Sequence, residues 1–289
     1  MKKIRILIVA ILAISMVFVG CTSSEEGEAF DIERDITVVA RDAASGTRGA
    51  FHEIMEIIQK ERSSEIDRLV VGALEFDGTD KVITAVEGDK YGIGYISLGS
   101  LSDRIKAVAV DGVEPSVENV KSGSYSVARP FLLVTKTESE LVKDFLNFTQ
   151  SIQGQAIITE MNFIGSVDSP SEYTPSGLTG SIKVAGSTSV APLMEKLQEA
   201  YKELNPEVEF ETQAQGSSQG IKATIDGSYD IGMSSRELKD DEAAELNRYV
   251  LAIDGIAVIV NNENQKSNLS SQDITKIYTG EITKWSEVK

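Results

Sequence analysis

Apolar positions along the chain alternate between two periods. Residues 36–40 (ITVVA), 92–97 (GIGYIS) and 131–135 (FLLVT) are short apolar runs of the kind that form strands. Residues 49–60, 82–87, 140–148 and 152–160 space their apolar side chains by three and four, which predicts helices. The alternation resumes after residue 180, with strands at 181–185, 208–213 and 256–261 and helices at 190–204, 219–226, 240–249 and 271–278. In the segment from 190 the stripe is plain: Val190, Leu193, Met194, Leu197, Tyr201 and Leu204 share a face, leaving Glu195, Lys196, Glu199, Lys202 and Glu203 for water. Pro192 falls in the first turn, where its missing N–H is not needed. Strands alternating with helices predict an α/β architecture.

Two regions interrupt this pattern. Residues 165–180 (GSVDSPSEYTPSGLTG) are dense in Ser, Pro, Gly and Thr and lack an apolar period, as a linker does. At the other interruption, Met1 to Arg5 is basic, residues 6–19 are apolar, and Gly20-Cys21 follows at once. That is the pattern of an export signal over residues 1–20, with an apolar stretch too short to span a membrane comfortably. Its end resembles the lipobox of bacterial lipoproteins, with Phe18 where leucine is usual. The resemblance implies lipidation of Cys21, a flexible tether over 21–31, and anchoring to the outer face of the cell membrane or facing the periplasm. The alternative is an ordinary secretory signal. Cys21 is the single cysteine, so no internal disulfide can form.

Length and charge narrow the functions available. A chain of 289 residues with 41% hydrophobic residues is long enough for two domains and a sizeable core. Its 28 Lys+Arg against 45 Asp+Glu give a formal charge of -17, which argues against nucleic acid or anionic membrane surfaces as partners. An anionic ligand must therefore be held by local geometry.

Such geometry is suggested three times over. The first strand leads through Arg41 into Ser45-Gly46-Thr47-Arg48 and a helix; the strand at 181–185 leads into Gly186-Ser187-Thr188-Ser189 and a helix; the strand at 208–213 leads into Gly216-Ser217-Ser218 and a helix. A fourth run ends in Ser234-Ser235-Arg236. Helix N-termini expose unpaired N–H groups and partial positive charge, glycines permit close backbone approach, and hydroxyls add donors. Together they suit phosphate-like oxygens. A single cluster of this kind is as well explained by helix capping. Three of them, with Arg41, Arg48 and Arg236 alongside, point to a small anion bound between α/β units.

Longer motifs carry a family resemblance. GSTSVAPLMEKL (186–197), QGSSQGIKATIDG (215–227), DIGMSSRELKDDE (230–242), DGIAVIVN (254–261) and IYTGEITKWSEV (277–288) resemble the N-terminal half of the phosphate-binding protein of high-affinity phosphate ABC transporters. SGTRGAF (45–51), YGIGYISLGSL (91–101), VKSGSYSVARPFLLVTK (120–136) and the segment 142–165 resemble its C-terminal half. The order is the reverse of the family's, so the chain looks circularly permuted, with residues 165–180 joining the family's usual termini.

The resemblance implies a two-lobe, type II periplasmic-binding-protein-like fold. One lobe would be continuous over 129–254 and contain the linker; the other would be split between 32–128 and 255–289. It implies inorganic phosphate as ligand and the permease of an ABC transporter as partner, with no cofactor and no metal. Carried over residue by residue, it places Arg41, Ser45, Gly46, Thr47, Thr188, Ser189, Ser217 and Ser235 around the ligand. Arg48, Ser187, Ser218 and Arg236 stand as neighbours. Well-known members use an aspartate to accept the proton of hydrogen phosphate, and Ser235 aligns with it. A serine accepts less strictly, so the departure leaves selectivity over sulfate or arsenate open.

Two rivals stay in view. A serine at a helix start could act as a nucleophile on a phosphoester; His52, the single histidine, lies in the helix after the first motif, where a solvated or capping role is expected rather than that of a base. No cluster of His, Cys and carboxylates has metal-ligand spacing. Alternatively the reversed order marks a fusion of halves with a surface or sensing role and no closed site.

Overall fold

A computed structural model describes residues 29–61 and 64–289. The expected export signal, Cys21 and most of the tether lie outside these residues. Among them, no helix is long and apolar enough to cross a membrane.

The first described elements are strand β1 (Thr37–Arg41) and helix α1 (Gly46–Ile54), followed by a hairpin of β2 (Ile58–Glu61) and β3 (Ser64–Asp67). Then come β4 (Leu74–Phe76), α2 (Thr79–Gly88), β5 (Gly92–Ser97), β6 (Lys106–Val110) and α3 (Val117–Ser122). Strand β7 (Ala128–Thr135) leads into α4 (Glu140–Gln150), α5 (Ile152–Glu160) and the short β8 (Ile164–Gly165). After the linker come β9 (Gly180–Gly186), α6 (Ala191–Leu204), β10 (Val208–Ala214), α7 (Ser217–Ile225), β11 (Ile231–Ser234) and α8 (Asp240–Ala243). The last are the long β12 (Asn247–Val260), β13 (Asn268–Leu269) and α9 (Ser271–Tyr278).

The main sheet runs β10-β9-β11-β7-β12-β5-β1-β4. Strands β10, β9 and β11 are mutually parallel, as are β4, β1 and β5; between the two sets, β12 pairs antiparallel with both β7 and β5. Residues 247–255 of β12 face β7, and residues 256–260 face β5. One strand thus runs through both halves of the sheet.

The apolar side chains gather in two large clusters. One draws on Val38 to Val127 and Ile256 to Val288, the other on Phe131 to Ala252. The result is a mixed α/β fold of the two-lobe periplasmic-binding-protein type.

Where the chain passes between clusters, Arg129 on β7 stands opposite Asp254 on β12. Both side chains are buried, with Nη2 3.1 Å from Oδ2. Ser97 Oγ donates to Asp254 Oδ1 at 2.9 Å. Burial pushes the Asp254 carboxyl up to about 6 against the pull of Arg129, and brings Arg129 down to about 10. Among the described residues Arg129 Nε and Nη1 have no hydrogen-bond partner, although the guanidinium lies 5.4 Å from the Phe131 ring centroid.

The linker is fastened to the second cluster. Tyr173 is buried, and its hydroxyl, Tyr201 OH and Ser176 Oγ all donate to Asp144 Oδ2, at 2.6, 2.5 and 2.9 Å. Ser166 Oγ donates to Val250 O at 2.7 Å. A single carboxylate oxygen taking three hydroxyl donors holds the segment against α4 and α6.

Local patterning erred where tertiary pairing competes with helix formation. The helix expected to reach residue 60 ends at Ile54: Glu56 takes φ +51°, and Ile58–Glu61 pairs with Ser64–Asp67. The helix expected over 240–249 stops at Ala243, because Asn247 to Tyr249 pair with Leu133 to Thr135 of β7. By contrast, the expected and observed bounds of β5, α5 and α9 coincide.

Candidate functional site

Four helix starts converge on one spot. At α1, Ser45 is the N-cap, its Oγ accepting from Arg48 N at 3.3 Å, so its side chain is used locally. Gly46 and Thr47 follow in the first turn, and Thr47 Oγ1 is left to face the opposite half. Helix α2 begins with Thr79 after Gly78. Ahead of α6, Gly186 takes φ +141°, and any Cβ there would strike the Met233 backbone, so only glycine lets Ser187 to Ser189 curl over the sheet end. Helix α7 begins with Ser217 after Gly216, whose N–H and that of Gln215 both donate to Gly186 O at 2.9 Å. That shared carbonyl holds the α6 and α7 approaches together.

Their hydroxyls meet in a continuous cluster. Thr47 Oγ1 lies 2.9 Å from Ser189 Oγ and 3.5 Å from Ser235 Oγ; Thr79 Oγ1 lies 3.4 Å from Ser189 Oγ. Ser187 Oγ donates to Ser235 Oγ at 2.9 Å, and Ser217 Oγ is 3.3 Å from Ser235 Oγ. Ser217 Oγ also accepts from Ser235 N at 3.0 Å. Thr47 and Thr79 come from helices packed on the first cluster, and Ser187, Ser189 and Ser235 adjoin elements packed on the second; Ser217 starts α7, whose Ile221 lies in a third, smaller cluster with Leu132, Val134 and Leu246. Across the seam, Ser218 N donates to Ala44 O at 3.1 Å.

Arg41 closes one side. It is 2% exposed, and its Nη2 donates to Thr188 Oγ1 at 2.8 Å and to Asp77 O at 3.0 Å. Its Nε donates to Phe76 O at 3.2 Å and its Nη1 to Thr79 Oγ1 at 3.4 Å. Among the described residues no carboxylate forms an ion pair with it. Burial lowers its pKa from the ordinary arginine value, opposed by Tyr95, Asp42 and Asp77.

The other two arginines are committed elsewhere. Arg48 pairs with Asp67 at 2.9 Å and with Glu75, and its Nη1 donates to Arg41 O. Arg236 pairs with Glu242 at 2.7 Å and reaches Ser218 Oγ at 3.4 Å. Both line a groove of about 840 Å³ beside the cluster, together with Ser45, Arg129 and Ser218.

Of the residues expected at the site, Arg41, Thr47, Thr188, Ser189, Ser217 and Ser235 are brought into one hydrogen-bonded assembly. Gly46 lies against it, for a Cβ added there would come within 2.8 Å of Ser235 Oγ and closer still to Ser217 Oγ. Ser187, expected only as a neighbour, is an integral member. Ser45 caps its own helix, and Ser218, Arg48 and Arg236 sit at the groove. Thr79 was missed; Asp77-Gly78-Thr79-Asp80 is a Gly-Thr helix start like the other three, but it follows a strand of three residues too short to detect.

His52 is neither solvated nor a cap. It is 0% exposed, with Nδ1 3.0 Å from Asp67 Oδ1 and Nε2 3.3 Å from Tyr95 OH. Both ring nitrogens are thus engaged away from the serines.

Four helix N-termini, one guanidinium that no carboxylate pairs with among the described residues, and a cluster of hydroxyls are groups whose chemistry suits a tetrahedral oxyanion. The PBP superfamily domain matches residues 28–152 and 171–289. The chain is 41% identical over 291 residues to phosphate-binding protein PstS 2 of Streptococcus pneumoniae serotype 4 (strain TIGR4), with 100% of both chains covered. It is 31% identical over 113 residues to phosphate-binding protein PstS of Bacillus subtilis (strain 168), covering 38% of each chain. The crystal structure of a phosphate ABC transporter phosphate-binding protein from S. pneumoniae TIGR4 superposes with TM-score 0.73 at 44% identity, covering 88% of this chain and all of that one.

Proposed function

From the premise that this chain belongs to the PstS phosphate-binding family of the PBP superfamily, we propose that it binds inorganic phosphate between its two halves and presents it to an ABC-type permease. The carrying observation is Arg41: a buried guanidinium with no carboxylate partner, ringed by hydroxyls. A dianion supplies the missing charge, and in a dry enclosure each hydrogen bond to it is strengthened. The ligand shell is Arg41, Gly46, Thr47, Thr79, Ser187, Thr188, Ser189, Ser217 and Ser235. The role is carriage: the relatives are binding proteins, and among the described residues the single histidine, His52, is bonded to Asp67 and Tyr95 and to no serine.

The lobes are residues 32–128 with 255–289, and 129–254, a division supported by the two apolar clusters. Closure takes place about β7 and β12. The segment order is a circular permutation of the usual PstS order. Collinear similarity to PstS 2 over both whole chains, against 38% coverage with the B. subtilis protein, supports this. Lipidated Cys21 would hold the protein at the outer face of the membrane.

Isothermal calorimetry should detect saturable phosphate binding. Ligand at a hundred times its Kd should stabilise the fold by about 2.7 kcal/mol. Absence of both heat and thermal shift at millimolar phosphate would end this reading. Gly46→Ala should weaken phosphate binding about tenfold to a hundredfold, because the added methyl wedges against Ser217 and Ser235 as the halves close. An unaltered Kd would mean that the halves do not close on the start of α1.

A further inference from the structure

Behind the ligand shell lies a second network, buried at Tyr95 and His52 and open to solvent at Asp67, that the proposed function does not use. Strand β5 pairs with β1 at Thr37 and Val38. At Arg41 the N–H meets the Tyr95 hydroxyl instead, at 3.2 Å. On its other side that hydroxyl faces His52 Nε2, whose Nδ1 faces Asp67. Arg48 completes the ring, donating from Nη1 to Arg41 O at 2.9 Å and from Nε to Asp67 Oδ2 at 3.0 Å. Both backbone polar groups of the ligand-binding arginine are therefore held by one side-chain network. Phe51 stacks on Tyr95 with ring centroids 4.0 Å apart, which fixes the ring that carries the hydroxyl.

We propose that Tyr95, His52 and Asp67 are positioning residues that set the backbone of Arg41 and thereby phosphate affinity, with neutral His52 protonated on Nδ1. The inference rests on Arg41 being a phosphate ligand. The tautomer follows from chemistry: Asp67 accepts, so Nδ1 donates; Nε2 then accepts the Tyr95 O–H, which leaves a Tyr95 lone pair for the Arg41 N–H. A proton on Nε2 would point at the Tyr95 hydroxyl, break this sequence of donors and acceptors, and loosen Arg41.

The groups facing His52 are Arg48 on its own helix, Asp67 on β3, Glu75 on β4, Tyr95 on β5 and the Tyr278 ring on α9. Burial is the largest influence and lowers the His52 pKa below its ordinary value, opposed by Asp67. The folded group therefore binds fewer protons than the unfolded one. The network is intact above the ordinary histidine pKa and is lost as pH falls through the lowered one.

The test uses the full-length mature protein. Because the chain has one histidine, nitrogen NMR reads a single imidazole, expected as the neutral Nδ1-protonated tautomer at pH 8; an Nε2-protonated ring overturns the proposal. Tyr95→Phe, which keeps the ring and loses the hydroxyl, should raise the phosphate Kd about five- to tenfold. His52→Asn, which keeps a donor for Asp67 and loses the acceptor, should do the same. His52→Gln, whose amide oxygen reaches the Nε2 position, should recover most of the affinity. It should also lose the acid-side fall in affinity that exceeds phosphate's own titration. Combining Tyr95→Phe with His52→Asn should add little to either alone. Wild-type affinity in Tyr95→Phe sinks the relay while leaving phosphate binding standing; failure of the wild type to bind phosphate sinks the functional reading itself.

Discussion

Arg41→Met is expected to abolish measurable phosphate binding at micromolar ligand while leaving the ligand-free protein folded. Removing one partner of a buried, hydrogen-bonded charge pair costs about 2–5 kcal/mol, or roughly thirty- to several-thousandfold in Kd. The loss falls at the upper end because, among the described residues, Arg41 is the arginine bonded to the hydroxyls of the cluster, whereas Arg48 is held by Asp67 and Glu75, Arg236 by Glu242 and Arg129 by Asp254. Two opposing effects govern the ligand-free fold. The substitution relieves a buried guanidinium that, among the described residues, no carboxylate pairs with directly, and it leaves the Phe76 and Asp77 carbonyls and Thr188 without their donor. These offset one another, so the apo melting temperature should move far less than the phosphate-induced shift, which disappears. Arg41→Lys should fall between, since it retains charge but not the fork that reaches Thr188 and Thr79 together. Calorimetry and thermal melting with and without phosphate decide the matter; an unchanged Kd in Arg41→Met would remove Arg41 from the site.

The second large effect belongs to the strand crossing. Arg129→Met strands the Asp254 carboxylate in the interior, where only Ser97 and backbone still stabilise its charge. Breaking one side of a buried pair costs about 3–5 kcal/mol, whereas replacing both sides by apolar groups of similar volume is often neutral or better. Arg129→Met should therefore be strongly destabilised in urea unfolding, and the double variant Arg129→Met with Asp254→Leu should recover most of the loss. The pH dependence carries a sign. The Asp254 pKa is raised in the folded state to about 6, so the fold binds more protons than the unfolded chain between the ordinary carboxylate range and that value. Its contribution is thus best at low pH and declines as pH rises through about 6. Without Arg129 the carboxyl rises further, so the deficit of the single variant should be largest above neutrality and shrink on acidification. A deficit that does not change between pH 5 and 8 would argue against a charged Asp254 as its cause.

These two arginines differ in what the linear chain discloses. Arg41 precedes a Ser-Gly-Thr helix start, a local arrangement with a local chemical meaning. Arg129 lies in an ordinary apolar run, and its partner is 125 residues away. Nothing in spacing or composition couples them; the antiparallel register of β7 and β12 does.

The same division applies to the whole protein. Alternating apolar periods, strand ends leading into Ser, Thr and Gly, and the recurrence of that design were all local, and they determined the α/β class, most helix starts and most members of the hydroxyl cluster. Helix caps and amphipathic stripes depend on neighbours three or four residues apart, so the sequence displays them directly. Tertiary structure decided the rest. It stopped α1 at Ile54 and α8 at Ala243, because pairing with β3 and β7 outweighed weak local helix preference. It added Thr79 to the hydroxyl cluster, turned Ser45, Arg48 and Arg236 to other partners, and buried His52 against Asp67 and Tyr95. Each of these outcomes depends on which groups meet across the fold, and desolvation together with long-range pairing settles that only once the chain is packed.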